Sequence, residues 1–423
     1  MGTDPVVVAG AVVGLLREGR FGEVEGLFSP RLRAAAPSPA LRVGWEGQVA
    51  RLGAVTVGEP VRGAVVAGLV EVRVPVTGGR GGVTVVLSVD DSGVLHDLVL
   101  APPVAEWTPP RHAATRKFTE REVTVGSGAL AVPGTVTLPR GDGPFPGVVL
   151  LTAGPFDRDL TTGPNKPFKD LAWGLASRGI AVLRFDKVNH VHPRVAAEPG
   201  FTMVEEYLPH AVAAVRLLQG QAGVDAGRVF VLGHSGGGKA APRVAAAEDS
   251  VAGLVILAGD TVPLPRAIVR VAGYLAELDP GMAGMVESFA RQAAAVEDPG
   301  LTAEEPGAEL LFGWPGSYWL DLRAYDPVAT AAALDKPMLI LQGGRDYQVT
   351  VAEDLARWRA GLAHRADVVI RVHEADDHLF FAGAGPSTPA DYESPRHVDP
   401  AVVAGIADWL APRRGRLARL FTR

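Results

Sequence analysis

Three residues far apart in the chain have types and surroundings that suit nucleophilic acyl chemistry: Ser235, Asp346 and His378. Arg228-Val229-Phe230-Val231-Leu232 is an apolar β run that breaks into Gly233-His234-Ser235-Gly236-Gly237, and an Ala-rich helical run follows from Lys239. Strand, sharp turn and helix in that order are the context of a nucleophile elbow, which lifts a serine Oγ above the end of a sheet. Gly233 and Gly237 suit such a turn because it packs close to neighbouring backbone. The N–H of Gly236 is then expected to face the attacked carbonyl oxygen. Such a serine needs a base and an acid, here expected in the chain order Ser, Asp, His. Lys336 to Gln342 reads as a buried strand ending at Gly343-Gly344-Arg345-Asp346. Asp354 to Leu362 reads as a helix, Ala366 to Val372 as another strand, and the loop beyond it holds Asp376-Asp377-His378.

Each member alone has a plainer reading: a turn serine, a capping aspartate, a solvated loop histidine. Their joint order at three strand ends favours the triad. His364 follows a helix, His373 ends a strand and His397 lies in a Pro-rich stretch, so they fit less well as the base. Gly233 to Lys239 also fits the phosphate-cradling G-x-x-x-x-G-K loop, but Ala240 stands where that motif wants Ser or Thr to ligate Mg²⁺. His190-Val191-His192 offers two imidazoles without an evident third ligand, so no metal and no cofactor are expected.

The elements that must position these residues divide near residue 105. Asp4 to Leu52 has apolar residues at helical spacing, and Ala54 to Leu100 reads as strands. Residues 1–105 are therefore a small α+β domain, and 106–117 a Pro-rich linker; the Pro-rich stretch includes Pro102, Pro103, Pro109 and Pro110. From residue 118 strands alternate with helices, which implies an α/β fold with a mostly parallel sheet. The alternation stops between Asp260 and about Tyr325, where helical runs lead into Phe312, Trp314, Tyr318 and Trp319. Residues 118–260 and 326–415 form the expected core, with 261–325 inserted as a lid. Phe156, His234, Trp314, Tyr318 and Trp319 are the expected substrate contacts.

The 423 residues are 47% hydrophobic with a net charge of −6, which gives no footing for nucleic acid. Cysteine is absent, which excludes disulfides and thiol catalysis. Val6 to Leu16 is apolar but too short to span a bilayer, and neither a basic lead nor a cleavage site accompanies it. A cytoplasmic protein without a transmembrane segment is expected. The basic tail Arg413, Arg414, Arg416, Arg419 and Arg423 reads either as a solvated helix end or as a docking point for an acidic partner such as a carrier protein.

The chain resembles bacterial α/β-hydrolases of the serine esterase and lysophospholipase-like group, and more closely a subset fused to a small NTF2-like N-terminal domain. The residues that carry the resemblance are Gly154 to Asp159, Gly163 to Phe168, Arg184-Phe185-Asp186-Lys187, the elbow, Tyr318 to Leu322, Gln342 to Asp346, His378-Leu379-Phe380 and Gly385 to Pro389. The resemblance implies the α/β-hydrolase fold, the same triad, no metal, and ester or related acyl chemistry. It also implies a homodimer, because NTF2-like modules commonly pair through their sheets. Three positions depart from the pattern. Leu151-Thr152-Ala153 replaces the usual His-Gly or Ala-Gly, so Thr152 or Ala153 must supply the second oxyanion N–H. Asp377 stands where relatives often carry Asn. Gly236 replaces a bulky residue and is expected to widen the pocket floor.

The reading that follows is a serine hydrolase of a hydrophobic, moderately bulky small-molecule acyl substrate. Three alternatives stay open: a biosynthetic tailoring enzyme using the triad on a polyketide-like intermediate, a non-catalytic binding protein, and a nucleotide binder.

Overall fold

The structure is a computed structural model and describes residues 4–411 apart from residues 50, 67, 102 and 104–106. It divides into two compact units, Met1–Glu106 and Trp107–Arg423. In the first, α1 (Pro5–Arg17), α2 (Phe21–Gly26), α3 (Pro30–Ala35) and α4 (Ser38–Val49) precede β1 (Val55–Val57), β2 (Val61–Val66), β3 (Leu69–Gly78), β4 (Gly81–Val89) and β5 (Leu95–Ala101). Helix α1 starts where Asp4 accepts from the Val6 N–H and Pro5 presets the first turn. The sheet is antiparallel, in the order β1-β3-β4-β5 with β2 also on β3. Alternate residues of β3 (Val70, Val72, Val74, Val76) are buried in one core with Val8, Val12, Val13 and Leu16 of α1. The expected α+β character is observed.

The second unit runs β6 (Phe118–Val125), β7 (Val132–Pro139), β8 (Phe145–Leu151), α5 (Pro167–Ala176), β9 (Ala181–Phe185), α6 (Val188–Val191), α7 (Met203–Gln219), β10 (Val224–His234), α8 (Gly236–Ala247) and β11 (Leu254–Leu257). Then follow α9 (Leu264–Leu278), α10 (Ala283–Glu297), α11 (Gly316–Ala324), α12 (Pro327–Ala333), β12 (Met338–Gly343), α13 (Ala356–Gly361), β13 (Val368–His373) and α14 (Pro400–Leu410). Eight strands form one sheet in the order β6-β7-β9-β8-β10-β11-β12-β13. From β9 to β13 every neighbouring pair is parallel; β7 runs antiparallel to both its neighbours. This is the α/β-hydrolase fold. Strands β8, β9, β11 and β12 are almost entirely buried, as a sheet covered on both faces requires. One face packs on α7 and α8, the other on α5 and α14.

The chain leaves β8 for β9 on one side and later returns as β10 on the other. Such a reversal opens a crevice at the carboxyl ends of the two strands. The register pairs Gly233 with Leu151 across that point, so the elbow and the Thr152-Ala153 loop emerge side by side.

Three expectations need correction. Residues from Trp107 onward are not a free linker: Trp107 Nε1–H donates to Asp170 at 2.9 Å, its ring meets Trp173 edge-on, and the Ala114 N–H donates to Ser177 Oγ at 2.8 Å. Prolines interrupt secondary structure there without preventing packing. Helix α8 starts at Gly236 rather than Lys239. Glycine's poor helix propensity is overridden because the backbone of that first turn lies against β8. The helix expected from Asp354 is a π turn over Val351–Leu355 continuing into α13. Residues 412–423, with the basic tail, and Pro102 lie outside the described residues. Among the described residues, no helix is long and apolar enough to cross a membrane.

Candidate active site

Ser235 follows the last residue of β10 and holds φ 54°, ψ −123°, a backbone state that a side chain rarely adopts. Its N–H donates to Leu257 O at 2.9 Å, which fixes the turn to the end of β11. The glycines around it are obligatory. A Cβ at Gly233 would lie 2.1 Å from Gly237 O, and one at Gly237 would lie 2.1 Å from Leu151 O. Local strain is thus held by close backbone contact with β8.

His378 and Asp346, the expected base and acid, lie on the next loops along the sheet. His378 Nδ1 lies 2.7 Å from Asp346 Oδ2. Asp346 is itself fixed: Oδ1 accepts from Gln348 N–H (2.8 Å) and Val349 N–H (2.9 Å), and Oδ2 from Gln342 Nε2 at 3.1 Å. The two loops touch through backbone, since a Cβ at Gly343 would fall 2.4 Å from Asp377 O. Burial disfavours the imidazolium of His378, but the Asp346 carboxylate outweighs it, so the net direction of its pKa is upward. Asp377 does not reach toward the imidazole as a rival. Its Oδ1 accepts from Leu379 N–H (2.9 Å) and Phe381 N–H (3.0 Å), holding the turn on which His378 sits.

His234 is placed differently from expectation. It is 4% exposed and lies behind the turn, its ring 4.6 Å from that of His378 and edge-on to Phe168. Its Nε2 lies 2.7 Å from His378 O. Burial and the neighbouring His378 push its pKa down to about 3, so it stays neutral and donates from Nε2. His234 therefore supports the His378 loop, its ring enclosed with Phe168, Leu257 and Leu379.

The floor around Gly236 is also not the open space expected. A Cβ there would meet Tyr207 Oη at 3.3 Å and Ala153 Cβ at 3.4 Å. As the first residue of α8, Gly236 has an N–H without an intrahelical acceptor. Thr152 is buried and Ala153 half-buried. Tyr207 belongs to a polar cluster that sequence reasoning missed. Lys187 Nζ lies 3.0 Å from the centre of the Tyr207 ring and 2.9 Å from Glu206 Oε1. Glu206 also accepts from Asn189 Nδ2 at 3.1 Å and from the Tyr318 hydroxyl. Burial pulls the Lys187 ammonium down to about 8 against the pull of Glu206, and pushes the Tyr207 phenol well above its ordinary value. Lys187 lay within one of the resembling motifs, but its partner is on α7 and nothing in local spacing links them. Breaking this buried pair is expected to be costly. Glu206→Ala should lower unfolding free energy by about 3–5 kcal/mol, read by urea denaturation, because it leaves the ammonium buried and uncompensated.

The remaining expected contacts separate into two groups. Phe156 is half-buried, and its ring stands 3.3 Å from where a Gly154 Cβ would be. Trp314 is half-buried, with its ring 4.3 Å from Tyr318. Tyr318 and Trp319 are buried: Tyr318 stacks on Phe201, and Trp319 sits in the inserted segment's own core with Ala293, Val296, Leu310 and Leu311. Tyr318 ties the segment to α7 through Glu206, and Trp319 fills the segment's own core. Above the acid loop, Arg270 of α9 donates to Gln348 O at 2.9 Å, Tyr274 stacks on Tyr347, and the Tyr274 hydroxyl donates to Ser387 O at 2.8 Å.

The rival motifs find other uses. Lys239 is buried and paired to Asp260 at 2.7 Å, so its ammonium is not offered to a phosphate. His190 Nδ1 lies 3.1 Å from Pro155 O and His192 Nε2 3.2 Å from Ala131 O, two separate carbonyls rather than one ion.

No protein-family model matches the chain. Esterase EstD from Thermotoga maritima is 37% identical over 337 residues, spanning 78% of this chain and 77% of its own length. Among solved structures, Est1E from Butyrivibrio proteoclasticus overlaps with a TM-score of 0.45 at 15% identity, covering 68% of this chain and 97% of that one. A Pyrococcus furiosus esterase overlaps with a TM-score of 0.44 at 16% identity, covering 73% and 97%.

Proposed function

Because this chain belongs to the family of Esterase EstD and is a carboxylic ester hydrolase of the α/β-hydrolase superfamily, we propose that it cleaves an ester, thioester or lactone of a hydrophobic, moderately bulky acyl substrate through Ser235, His378 and Asp346. The observation that carries this reading is Ser235 on a strained elbow at the switch point of the sheet, with an Asp346–His378 hydrogen bond on the loops beyond β12 and β13. Ser235 Oγ attacks the acyl carbonyl carbon while His378 Nε2 takes its proton. The oxyanion is held by the Gly236 N–H and one from Thr152 or Ala153. His378 returns the proton to the leaving oxygen or sulfur, which departs and leaves the acyl-enzyme. Water then attacks with His378 again as base, releasing the acid and Ser235.

Tyr207 adds a third donor to this reading. Its hydroxyl borders Gly236 and Ala153, and its high pKa keeps the proton available. Tyr207→Phe is expected to lower kcat by about 10²-fold with little change in KM, the signature of a donor used in the transition state. An equal loss through KM alone would remove Tyr207 from the oxyanion site.

Residues 261–325 serve as the lid in this proposal, supported by the docking of α9 over the loop that carries Asp346. Phe156 and Trp314 are the aromatic surfaces for the acyl chain. The N-terminal unit is an NTF2-like module that pairs chains into a homodimer through its sheet, on which Val61 and Val99 stay exposed. The enzyme acts in the cytoplasm on a small molecule. Turnover of a panel of short and bulky esters in H₂¹⁸O tests the reaction: one ¹⁸O in the released acid is expected. Cyclised or transferred product without ¹⁸O would replace hydrolysis with the tailoring reaction.

A further inference from the structure

We propose that His373, Asp376 and Asp399 form a divalent transition-metal site that ties the His378 loop to the start of α14. His373 is the last residue of β13, Asp376 stands two residues before His378, and Asp399 caps α14 by accepting from Ala401 N–H. One ligand atom from each lies within 4.8 Å of the others. His373 Nδ1 and Asp376 Oδ2 are 3.7 Å apart. Ligands on a tetrahedral zinc ion sit about 3.3 Å from each other, so a small inward movement closes the set.

The independent observation is Asp376. Its side chain is 0% exposed, and no N–H or hydroxyl group donates to either carboxylate oxygen. A buried carboxylate without a donor is expensive. The neighbouring acids are provided for: Asp377 takes two backbone N–H groups, and Asp399 takes one. The Arg345 guanidinium is engaged elsewhere, since it donates through Nε to Gly385 O at 2.7 Å. What faces Asp376 is a second carboxylate and an imidazole, and a metal ion held by one atom of each would satisfy all three together. One imidazole and two carboxylates suit Zn²⁺ or Mn²⁺, whereas Ca²⁺ asks for six to eight oxygens. Water would complete the coordination. The ion's place is structural, since His378 already has Asp346 as its partner. It would clamp the end of β13, the loop it feeds and the first turn of α14 at one point.

The test uses the untagged full chain, stripped with EDTA, and ZnCl₂ as the probe. Calorimetric titration at neutral pH should give one Zn²⁺ per chain, and the melting temperature should rise with added ZnCl₂. His373→Ala and Asp376→Asn should each weaken that uptake at least 10-fold and abolish the rise. Absence of stoichiometric uptake would overturn the proposal, as would uptake unchanged in both variants. So would a melting temperature raised by CaCl₂ and not by ZnCl₂. If Asp376→Asn simply stabilises a chain that takes up no Zn²⁺, Asp376 and Asp399 share a proton instead, and the site is refuted.

Discussion

Ser235→Ala is expected to lower kcat by roughly 10³-fold or more while leaving the fold intact. The variant keeps everything that shapes the turn. Alanine carries the same Cβ as serine, so the cost of φ 54° is unchanged, and the N–H bond to Leu257 O does not involve the side chain. What disappears is the only oxygen at the elbow able to form an acyl-enzyme. Two readouts separate chemistry from collapse. Steady-state turnover of a short-chain ester should fall, while the melting temperature stays near that of the parent chain. A fluorophosphonate should add its mass to the parent chain and not to the variant. Near-normal turnover of esters by the alanine variant would sink covalent catalysis and leave the His378–Asp346 pair as a proton shuttle.

The elbow was legible because its determinants are local. An apolar strand, small residues at fixed offsets and a helical run lie within about twenty residues, and their order alone dictates a turn that exposes a serine. The pairing of Asp346 with His378 was legible because each follows an apolar strand, β12 buried and β13 half-buried at the sheet edge, and strand ends in a parallel sheet converge on one edge. His234 was misread for a related reason. Its position next to Ser235 points to the pocket, yet alternate residues of a strand end face opposite sides, and its ring is carried behind the turn to meet His378 O. The Lys187–Glu206–Tyr318 cluster was illegible because its members meet only through tertiary packing of the turn before α6, helix α7 and the inserted segment. Gly236 was read as space, since a sequence shows a missing side chain but not the Tyr207 hydroxyl and Ala153 that occupy its surroundings. The burial of Tyr318 and Trp319 follows the same logic: an aromatic cluster in an insertion must build a core of its own before it can offer surface to a ligand.

Asp346→Asn should cost roughly 10²–10⁴ in kcat, and the hydrogen bonds around Asp346 say why. Oδ1 accepts two backbone N–H groups, from Gln348 and Val349. An asparagine must keep its carbonyl oxygen there or leave both donors unpaired. Its NH₂ then faces His378 Nδ1, which can no longer donate and must accept. The ring proton moves to Nε2, the atom that has to take the proton of Ser235, so the base is blocked. The pH profile gives a second readout. In the parent enzyme the Asp346 carboxylate overcomes burial and raises the His378 pKa. The acid limb of kcat/KM is therefore expected above the ordinary imidazole value of about 6.5, with activity rising as the imidazolium loses its proton. Without the carboxylate, burial is opposed only by the weaker pull of Asp377 and Asp260, and the limb should move to lower pH. Asp377→Asn is the control. Its Oδ1 can still accept from Leu379 and Phe381, so kcat should change by less than about 10-fold. Should Asp377→Asn prove the more damaging substitution, the acid of the site is Asp377 and not Asp346.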